Sequence, residues 1–403
     1  MEEEKKQERT VYLDFIRFYA TVAVVMLHAA AGLLVQPYDK IDTHWWWIGN
    51  FYDSFVRPSV PLFVIISGAL LLEKGEEKYG TFFKKRFIRV LIPFLFWSVI
   101  YFIYSNKYFD LQKYLIALLT GKIYIHLWFV YMILGLYLIT PVLRKWLQNA
   151  TDSDKSYFMI IWFFSAVIFP LFDKFADFKI ALTIQFVAGY TGYFVLGSML
   201  RKKNSSTSSL PLKEGGLRKI KDIPYLLKKL LFCHSEFISA SKIEILKQVQ
   251  NDILRGCHIL IYLFLFFISF AVTVLGTYYM TLANKGHLDG YFYNYLSPNV
   301  FIMTVSMFML IKSMSCFFKV ANSPHLTSPT TKFLKLFGEL SFGIYLMHPL
   351  VINILKSGIL GLKLDVFSIH PLIGVPITTF ACVFICFVIL LIINKIPIIK
   401  YIV

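Results

Sequence analysis

The sequence predicts an all-α membrane protein, a polytopic bundle of about ten transmembrane helices. The chain of 403 residues is 57% hydrophobic, with a mean hydropathy of +0.63. Apolar runs of about 18 to 25 residues recur along it, the length that a helix needs to cross a bilayer. No long polar stretch remains to fold as a second, soluble domain. We therefore expect a single membrane domain over residues 1–403.

Ten apolar segments define the predicted crossings. They lie near residues 11–35, 52–72, 87–105, 127–147, 157–173, 181–200, 258–282, 297–318, 335–356 and 372–394. The first has no small-residue cleavage site after it, which predicts an uncleaved helix and not a signal peptide. Most of the 41 Lys and Arg fall on one side of this arrangement. Because basic residues in short loops resist translocation, we expect both termini in the cytoplasm.

Two polar segments interrupt the pattern. Residues 201–257 open as a Ser/Lys/Gly-rich linker, and the stretch FCHSEFISASKIEILKQVQND within them resembles translated copies of dispersed bacterial repeat elements. We expect a flexible cytoplasmic insertion there, with no catalytic role. Residues 108–122 are too short and too polar to cross, and predict an amphipathic helix on the outer surface.

Charge and cysteine content exclude several classes of protein. A net charge of +17 would suggest a nucleic-acid partner in a soluble chain, but here the basic residues lie in short loops, where they set topology. We therefore expect the lipid bilayer and no nucleic acid as a partner. The five cysteines form no CxxC pair, and they indicate neither disulfides nor a metal site.

The first apolar helix carries three ionisable side chains: Asp14, Arg17 and His28. Helical geometry places them on one face, with Arg17 and His28 about 16 Å apart along the axis. Ionisable groups at membrane depth indicate a functional site by default. Alternatively, Asp14 and Arg17 neutralise each other near the interface and His28 bonds a neighbouring helix. The unperturbed pKa of imidazole, about 6.5, suits proton transfer at neutral pH.

A pair of arginines begins the third crossing. Arg86 and Arg89 are three residues apart in KKRFIRVLIPFLFW. They either anchor the helix by the positive-inside rule or form a guanidinium pair suited to the phosphates of a nucleotide-like donor. In the preceding crossing, Ser67 and Gly68 are small residues that favour close helix packing.

The ninth crossing adds a tyrosine and a histidine. Tyr345 and His348 lie about 20 Å into this helix, at a depth similar to that of His28. An isolated buried pair is ordinarily structural, but two histidines at matching depth favour a shared cavity. Residues 44–55, HWWWIGNFYDSF, carry outer aromatic side chains that suit either an interfacial belt or the stacking of sugar rings.

Taken in order, these segments resemble the acyltransferase-3 family of integral-membrane acyltransferases. The resemblance rests on LDFIRFYATVAVVMLH, VPLFVIISGALLL, KKRFIRVLIPFLFW, HLWFVYMILGLYLITPVL and FGIYLMHPL. It covers nearly the whole chain apart from residues 201–257. The family has an Arg-x10-His motif, which falls on Arg17 and His28, and an RxxR motif, which falls on Arg86 and Arg89.

The resemblance implies a multi-pass enzyme of the bacterial cytoplasmic membrane that moves an acyl group, commonly acetyl, from cytoplasmic acyl-CoA to a hydroxyl of a cell-surface or lipid-linked glycan. Acyl-CoA is then a donor substrate, and no permanently bound cofactor is expected. His28 would act as general base or carry the acyl group transiently. Asp14 and Arg17 would complete the catalytic group, with Arg17 meeting the donor or a developing oxyanion.

The same resemblance gives the remaining candidates their roles. Arg86 and Arg89 would hold the phosphates of CoA at the inner mouth, and Tyr345 and His348 would line the acceptor side. Two other classes of protein stay open. A proton-coupled transporter or flippase of an envelope precursor would use the same ionisable residues as a relay. A structural subunit would use the aromatic content as helix contacts.

Overall fold

The computed structural model describes residues 11–35, 43–75, 77–175, 189–202, 240–321, 329–359, 361 and 363–396. In these ranges the regular structure is helical throughout and contains no strand. The helices are α1 (Val11–Leu34), α2 (His44–Val56), α3 (Ser59–Leu71), α4 (Tyr79–Arg86), α5 (Ile92–Asn106), α6 (Leu111–Thr120), α7 (Trp128–Asn149), α8 (Asp152–Phe163), α9 (Phe169–Phe175), α10 (Thr191–Lys202), α11 (Ala240–Ala283), α12 (Pro298–Ala321), α13 (Pro329–Ser357) and α14 (Pro371–Asn394).

Nine helical segments of the described ranges are long and apolar enough to cross a membrane. They correspond to nine of the ten predicted crossings, and the predicted all-α membrane bundle is confirmed. The first part of the other crossing, predicted at 181–200, falls outside the described residues, and its second part is α10. Residues 203–239 of the predicted insertion also lie outside them. From Ala240 onward the backbone already belongs to α11, a helix of 44 residues.

The second and third crossings each begin eight residues earlier than hydropathy predicts, at His44 and Tyr79 against residues 52 and 87. The second starts at His44, where the Thr43 side chain caps the helix by accepting from the Trp46 amide, and it breaks between α2 and α3 at Pro58. Histidine and tryptophan are only moderately apolar, so a hydropathy pattern misses their helical turns. The third crossing starts at α4 and passes through a π-helical turn, Phe87–Leu91.

Pro93 accounts for this π-helical turn. Proline lacks an amide hydrogen, and its ring collides with the carbonyl four residues earlier, which here belongs to Arg89. A wider turn relieves that collision. The three-residue spacing that places Arg86 and Arg89 on one α-helical face is therefore altered, and Arg86 is half-buried whereas Arg89 is exposed.

Helix α1 lies at the centre of the bundle and packs against α2, α3, α12, α13 and α14. Helix α13 runs in the same direction as α1, because Gly338 lies opposite Asp14 and His348 lies opposite His28. Helix α14 returns antiparallel, with Phe387 stacked on Phe337. The described chain therefore starts and ends at the same end of the bundle.

Small residues allow α3 and α10 to touch backbone to backbone. A Cβ atom built at Gly68 would lie 1.7 Å from the carbonyl oxygen of Phe194, and one at Gly197 would lie 2.0 Å from that of Ile65. Neither position has room for a side chain. The packing role predicted for Gly68 is thereby explained.

Candidate active site

Two histidines from different helices lie side by side within the bundle. The ring centroids of His28 on α1 and His348 on α13 are 5.0 Å apart, and the ring planes are tilted by 43°. His348 is fully buried, and His28 is half-buried. The parallel course of α1 and α13 brings them together, since His28 lies 14 residues after Asp14 on α1 and His348 lies 10 residues after Gly338 on α13.

A third histidine joins them from a short 3-10 turn, Ile125–Leu127, which precedes α7. The His126 ring centroid lies 5.6 Å from that of His348, and the side chain is buried. The rings of Tyr101 and Tyr124 pack on it at 4.8 and 5.4 Å. Sequence analysis assigned no role to His126. The only sequence signal for His126 was its place at the start of the segment HLWFVYMILGLYLITPVL. Its position beside the other two histidines depends on the 3-10 turn and does not follow from the sequence pattern.

These histidines border a cavity of about 170 Å³. His28, His126 and Tyr345 line it, whereas His348 lies behind His28 and is not among the lining side chains of the described residues. The other lining residues are apolar or aromatic: Val24, Leu27, Val60, Ile125, Trp128, Phe129 and Tyr295. The hydroxyl of Tyr345 donates to the backbone carbonyl of His126, so this tyrosine fixes the turn and offers its ring to the cavity.

A buried cation lies beside the cavity. Arg57, at the break between α2 and α3, forms an ion pair with Asp53 and donates to the Tyr293 carbonyl at 3.2 Å. Its guanidinium also covers the Tyr293 ring at 3.9 Å and approaches the ring of Tyr295. Its charge acts on His28. Sequence analysis gave Arg57 no function, since it resembles any basic residue at a helix end.

Asp14 and Arg17 form an ion pair at the start of α1. Arg17 Nη1 donates to Asp14 Oδ1 at 3.1 Å, and both groups pack against the bare backbone of Gly338. This pairing agrees with the alternative in which Asp14 and Arg17 neutralise each other. The structure does not bring Asp14 or Arg17 close to His28, which lies about 16 Å beyond Arg17 along the helix axis.

The face of α1 between Arg17 and His28 is buried. Thr21 is buried, and its hydroxyl donates to the Arg17 carbonyl at 2.8 Å. Val24, one turn further, is also buried and forms part of the cavity floor. On the α1 side, the buried Thr21 therefore lies between the cavity and Arg17.

Cations gather at that end, which we call the basic end and define by Lys74, Arg86, Arg89 and Arg144. Burial, together with the charges of Arg86 and Arg144, lowers the pKa of Lys74. Arg89 adds to this repulsion. Such an excess of positive charge favours an anionic ligand. Tyr137, in α7, lies within electrostatic range of both Arg86 and Arg17, which places Arg17 near the same region.

One carboxylate partly neutralises the basic end. Glu77 accepts from Lys85 at 2.7 Å and lies 3.8 Å from Arg144. The hydrogen bond from Lys85 holds the pKa of Glu77 below its ordinary value. Arg144 also donates to the Leu71 carbonyl at 2.7 Å, which ties α7 to the end of α3. Arg144 was not predicted as a site residue, because nothing in its local sequence indicates these distant partners.

An open groove of about 690 Å³ lies along α4 beside these residues. Three lysines line it, Lys78, Lys84 and Lys85, together with Gly80, Thr81 and Ile88. The site therefore has two parts in the described chain, a basic groove at one end of the bundle and an aromatic, histidine-lined cavity deeper within it.

Comparison with known proteins identifies the family of the chain. The family model described as an acyltransferase domain, that of the acyltransferase-3 family, matches residues 10–391. No curated protein and no solved structure matches the chain. The match spans α1 to α14 and includes both the histidine-lined cavity and the basic end. The chain belongs to the acyltransferase-3 family and is a membrane acyltransferase.

Proposed function

We propose that the protein transfers an acyl group, acetyl in the simplest case, from cytoplasmic acyl-CoA to a hydroxyl of a cell-surface or lipid-linked glycan. The observation that carries this proposal is the arrangement along α1: Arg17, in its second turn, lies near the basic end, and a histidine-lined cavity lies about 16 Å further on. A phosphate-bearing donor fits the first region, and an uncharged hydroxyl fits the second.

The donor end is assigned to the cytoplasm of a bacterial cell. Acyl-CoA is made there, and an excess of Lys and Arg is typical of cytoplasmic loops. Arg86 and Arg89 would contact the phosphates through charge-assisted hydrogen bonds. Arg17, oriented by Asp14, would meet the donor where its pantetheine arm enters the bundle.

In the transfer step, His28 takes the proton of the acceptor hydroxyl while the hydroxyl oxygen attacks the thioester carbonyl. The tetrahedral intermediate then collapses and the carbon–sulfur bond breaks. The departing thiolate receives the proton from the His28 imidazolium, so that ester and CoA thiol leave and the imidazole is neutral again. The apolar walls of the cavity strengthen each of these electrostatic interactions by excluding water.

The acceptor is proposed to enter from the opposite end of the bundle. Trp128 and Tyr295 line the cavity and stack on each other with ring centroids 5.9 Å apart. Tyr345 supplies another wall. Aromatic faces of this kind suit the apolar faces of sugar rings.

The proposal is tested with membranes that contain equal amounts of wild type, His28→Ala or His258→Ala, supplied with labelled acetyl-CoA. His258 is an exposed histidine of α11 and serves as the matched control. We expect His28→Ala to lose on the order of 10² to 10⁴ in the rate of glycan labelling, the usual contribution of a general base, and His258→Ala to keep the wild-type rate. Unchanged labelling by His28→Ala would eliminate the proposed base.

Transport is distinguished by reconstitution of the purified protein in liposomes. An acyltransferase releases CoA thiol from acetyl-CoA only when an acceptor hydroxyl is present. Counterflow of an envelope precursor without release of thiol would instead support a transporter, and would contradict the proposed function.

A further inference from the structure

A histidine that acts as general base in a buried site needs a partner that fixes its tautomer and its orientation. In many enzymes this partner is a carboxylate. Among the described residues, the charged groups that act on His28 are two cations, Arg57 and Lys356. Asp14 lies about four turns away along α1, and Asp53 is already paired with Arg57. In the described part of the chain, the partner available to His28 is therefore a neutral acceptor.

The backbone fixes the tautomer of His348. Its Nδ1 lies 2.6 Å from the carbonyl oxygen of Tyr345, one turn earlier in α13. A carbonyl oxygen only accepts hydrogen bonds, so Nδ1 must carry the proton. The Nε2 atom of the same ring then bears a lone pair. It is buried and has no hydrogen-bond partner in the described part of the chain.

A buried acceptor without a donor is costly, and such groups call for an explanation. On α1, the imidazole of His28 faces His348, with 5.0 Å between the two ring centroids. Two imidazoles joined by an N–H···N hydrogen bond of about 2.9 Å have centroids about 5 Å apart. The two rings are thus at the separation for such a bond, and a small rotation would align it.

We propose that His348 is the positioning residue of the reaction, accepting a hydrogen bond at Nε2 from the N–H of His28. This inference rests on the proposed function, and deepens it. The bond would hold the other nitrogen of His28 as a lone pair directed at the cavity, where the acceptor hydroxyl binds. It would also stabilise the imidazolium that His28 becomes during transfer. The buried position of His348, behind His28 and away from the cavity wall, suits a residue that acts through another.

Two substitutions of His348 test the roles of its Nδ1 and Nε2 atoms separately. The amide of glutamine reaches the position of Nε2 and offers an acceptor oxygen there. The shorter amide of asparagine reaches only the position of Nδ1, where it can donate to the Tyr345 carbonyl. If Nε2 is the functional atom, glutamine rescues and asparagine does not. If His348 only ties its own helix, the order is reversed.

The experiment measures acetyl transfer from labelled acetyl-CoA to an envelope glycan fraction, freed of ester groups by mild base, with the wild type, His348→Gln, His348→Asn and His28→Ala. We expect His348→Gln to stay within about tenfold of the wild-type kcat and His348→Asn to lose on the order of 10², with unchanged KM for acetyl-CoA. The melting temperature in detergent shows whether each variant is folded.

Three outcomes would overturn the positioning role: full activity of His348→Asn, equal losses in both variants, or a rise in the KM for glycan in place of a fall in kcat. These outcomes are distinct from failure of the proposed function. That failure would appear as wild-type activity in His28→Ala, or as an absence of acetyl transfer by the wild type itself.

Discussion

The guanidinium groups of Arg86 and Arg144 share one aromatic ring, since the carbon centre of each lies 4.8 Å from the centroid of Phe82. Phe82 is almost fully buried, so its ring is attractive to cations and shielded from water. The ring holds two like charges near each other at the basic end. That arrangement costs free energy in the unliganded protein, and an anionic ligand would recover it.

Replacing Phe82 tests this arrangement. In Phe82→Leu the side chain stays apolar but the cation–π contacts are lost, each worth about 1 kcal/mol. We expect the KM for acetyl-CoA to rise about fivefold with kcat unchanged. The control is Phe83→Leu, which alters the neighbouring ring. A similar KM in both variants would refute the role of Phe82.

The two arginines of the third crossing should differ in their effect. Arg86→Gln and Arg89→Gln each remove a charge-assisted contact, and we expect the KM for acetyl-CoA to rise on the order of tenfold in each. Arg86→Gln should in addition lower the melting temperature, because Arg86 is half-buried and Arg89 is exposed. Lys155→Gln removes a charge that is paired with Asp152 and is the control. Unchanged affinity for CoA in both arginine variants would remove these residues from the donor site.

Gly338 sets the position of the Asp14–Arg17 pair. A Cβ atom there would lie 3.3 Å from Asp14 Oδ1 and 3.6 Å from Arg17 Cδ. Alanine therefore requires a shift of a few tenths of an ångström, whereas the branches of valine displace the pair. We expect Gly338→Ala to be nearly wild type and Gly338→Val to lose acetyl transfer about tenfold, at normal abundance. Gly135→Val, in open space on α7, is the control, and equal rates in the two valine variants would contradict the prediction.

The contact of α3 with α10 should govern stability. Gly68→Ala puts a methyl group on the Phe194 carbonyl, and separating the helices would cost about 1–3 kcal/mol. Gly80→Ala in α4 meets no atom within 4 Å and should be neutral or stabilising by up to about 1 kcal/mol. The difference in melting temperature between these variants isolates the contact, since both make the same change of residue. A Gly68→Ala protein as stable as wild type would disprove it.

The tryptophans of α2 should differ in their effect on the acceptor. Trp45 is half-buried and stacks on the exposed ring of Phe367 with centroids 6.1 Å apart, whereas Trp47 packs on Tyr278 at 4.5 Å. If the Trp45–Phe367 surface receives sugar rings, Trp45→Ala raises the KM for glycan by about five- to tenfold and Trp47→Ala does not. Equal effects would indicate an interfacial belt.

The positions of the helices were predictable because the bilayer imposes a length and a polarity on every crossing. The same physics explains the errors. Hydropathy omitted the turns from His44 to Trp47, whose side chains belong to the interface, and the π-helical turn before Pro93 depends on a local collision that no periodicity reports.

Of the candidate site, the sequence indicated residues whose chemistry is conspicuous at membrane depth. His28 and His348 stood out because apolar helices rarely carry histidine. His126 and Arg57 did not, since a short turn and a helix break bring them to the cavity, and both depend on contacts between distant segments. Arg144 is indistinguishable in sequence from a basic loop residue, and its position is revealed by the carbonyl of Leu71, the ring of Phe82 and the carboxylate of Glu77.

The burial of Thr21 and Val24, on α1 between Arg17 and His28, has a consequence for the cell. A continuous wet path from the basic end to the cavity would join two compartments and let protons leak down the membrane potential, which is worth about 2.3 kcal/mol per charge for each 100 mV. In the described bundle, the buried side chains of Thr21 and Val24 close the α1 side of such a path. Under the proposed function, the pantetheine arm that brings the thioester to His28 would pass these two side chains and would itself fill the space between the basic end and the cavity.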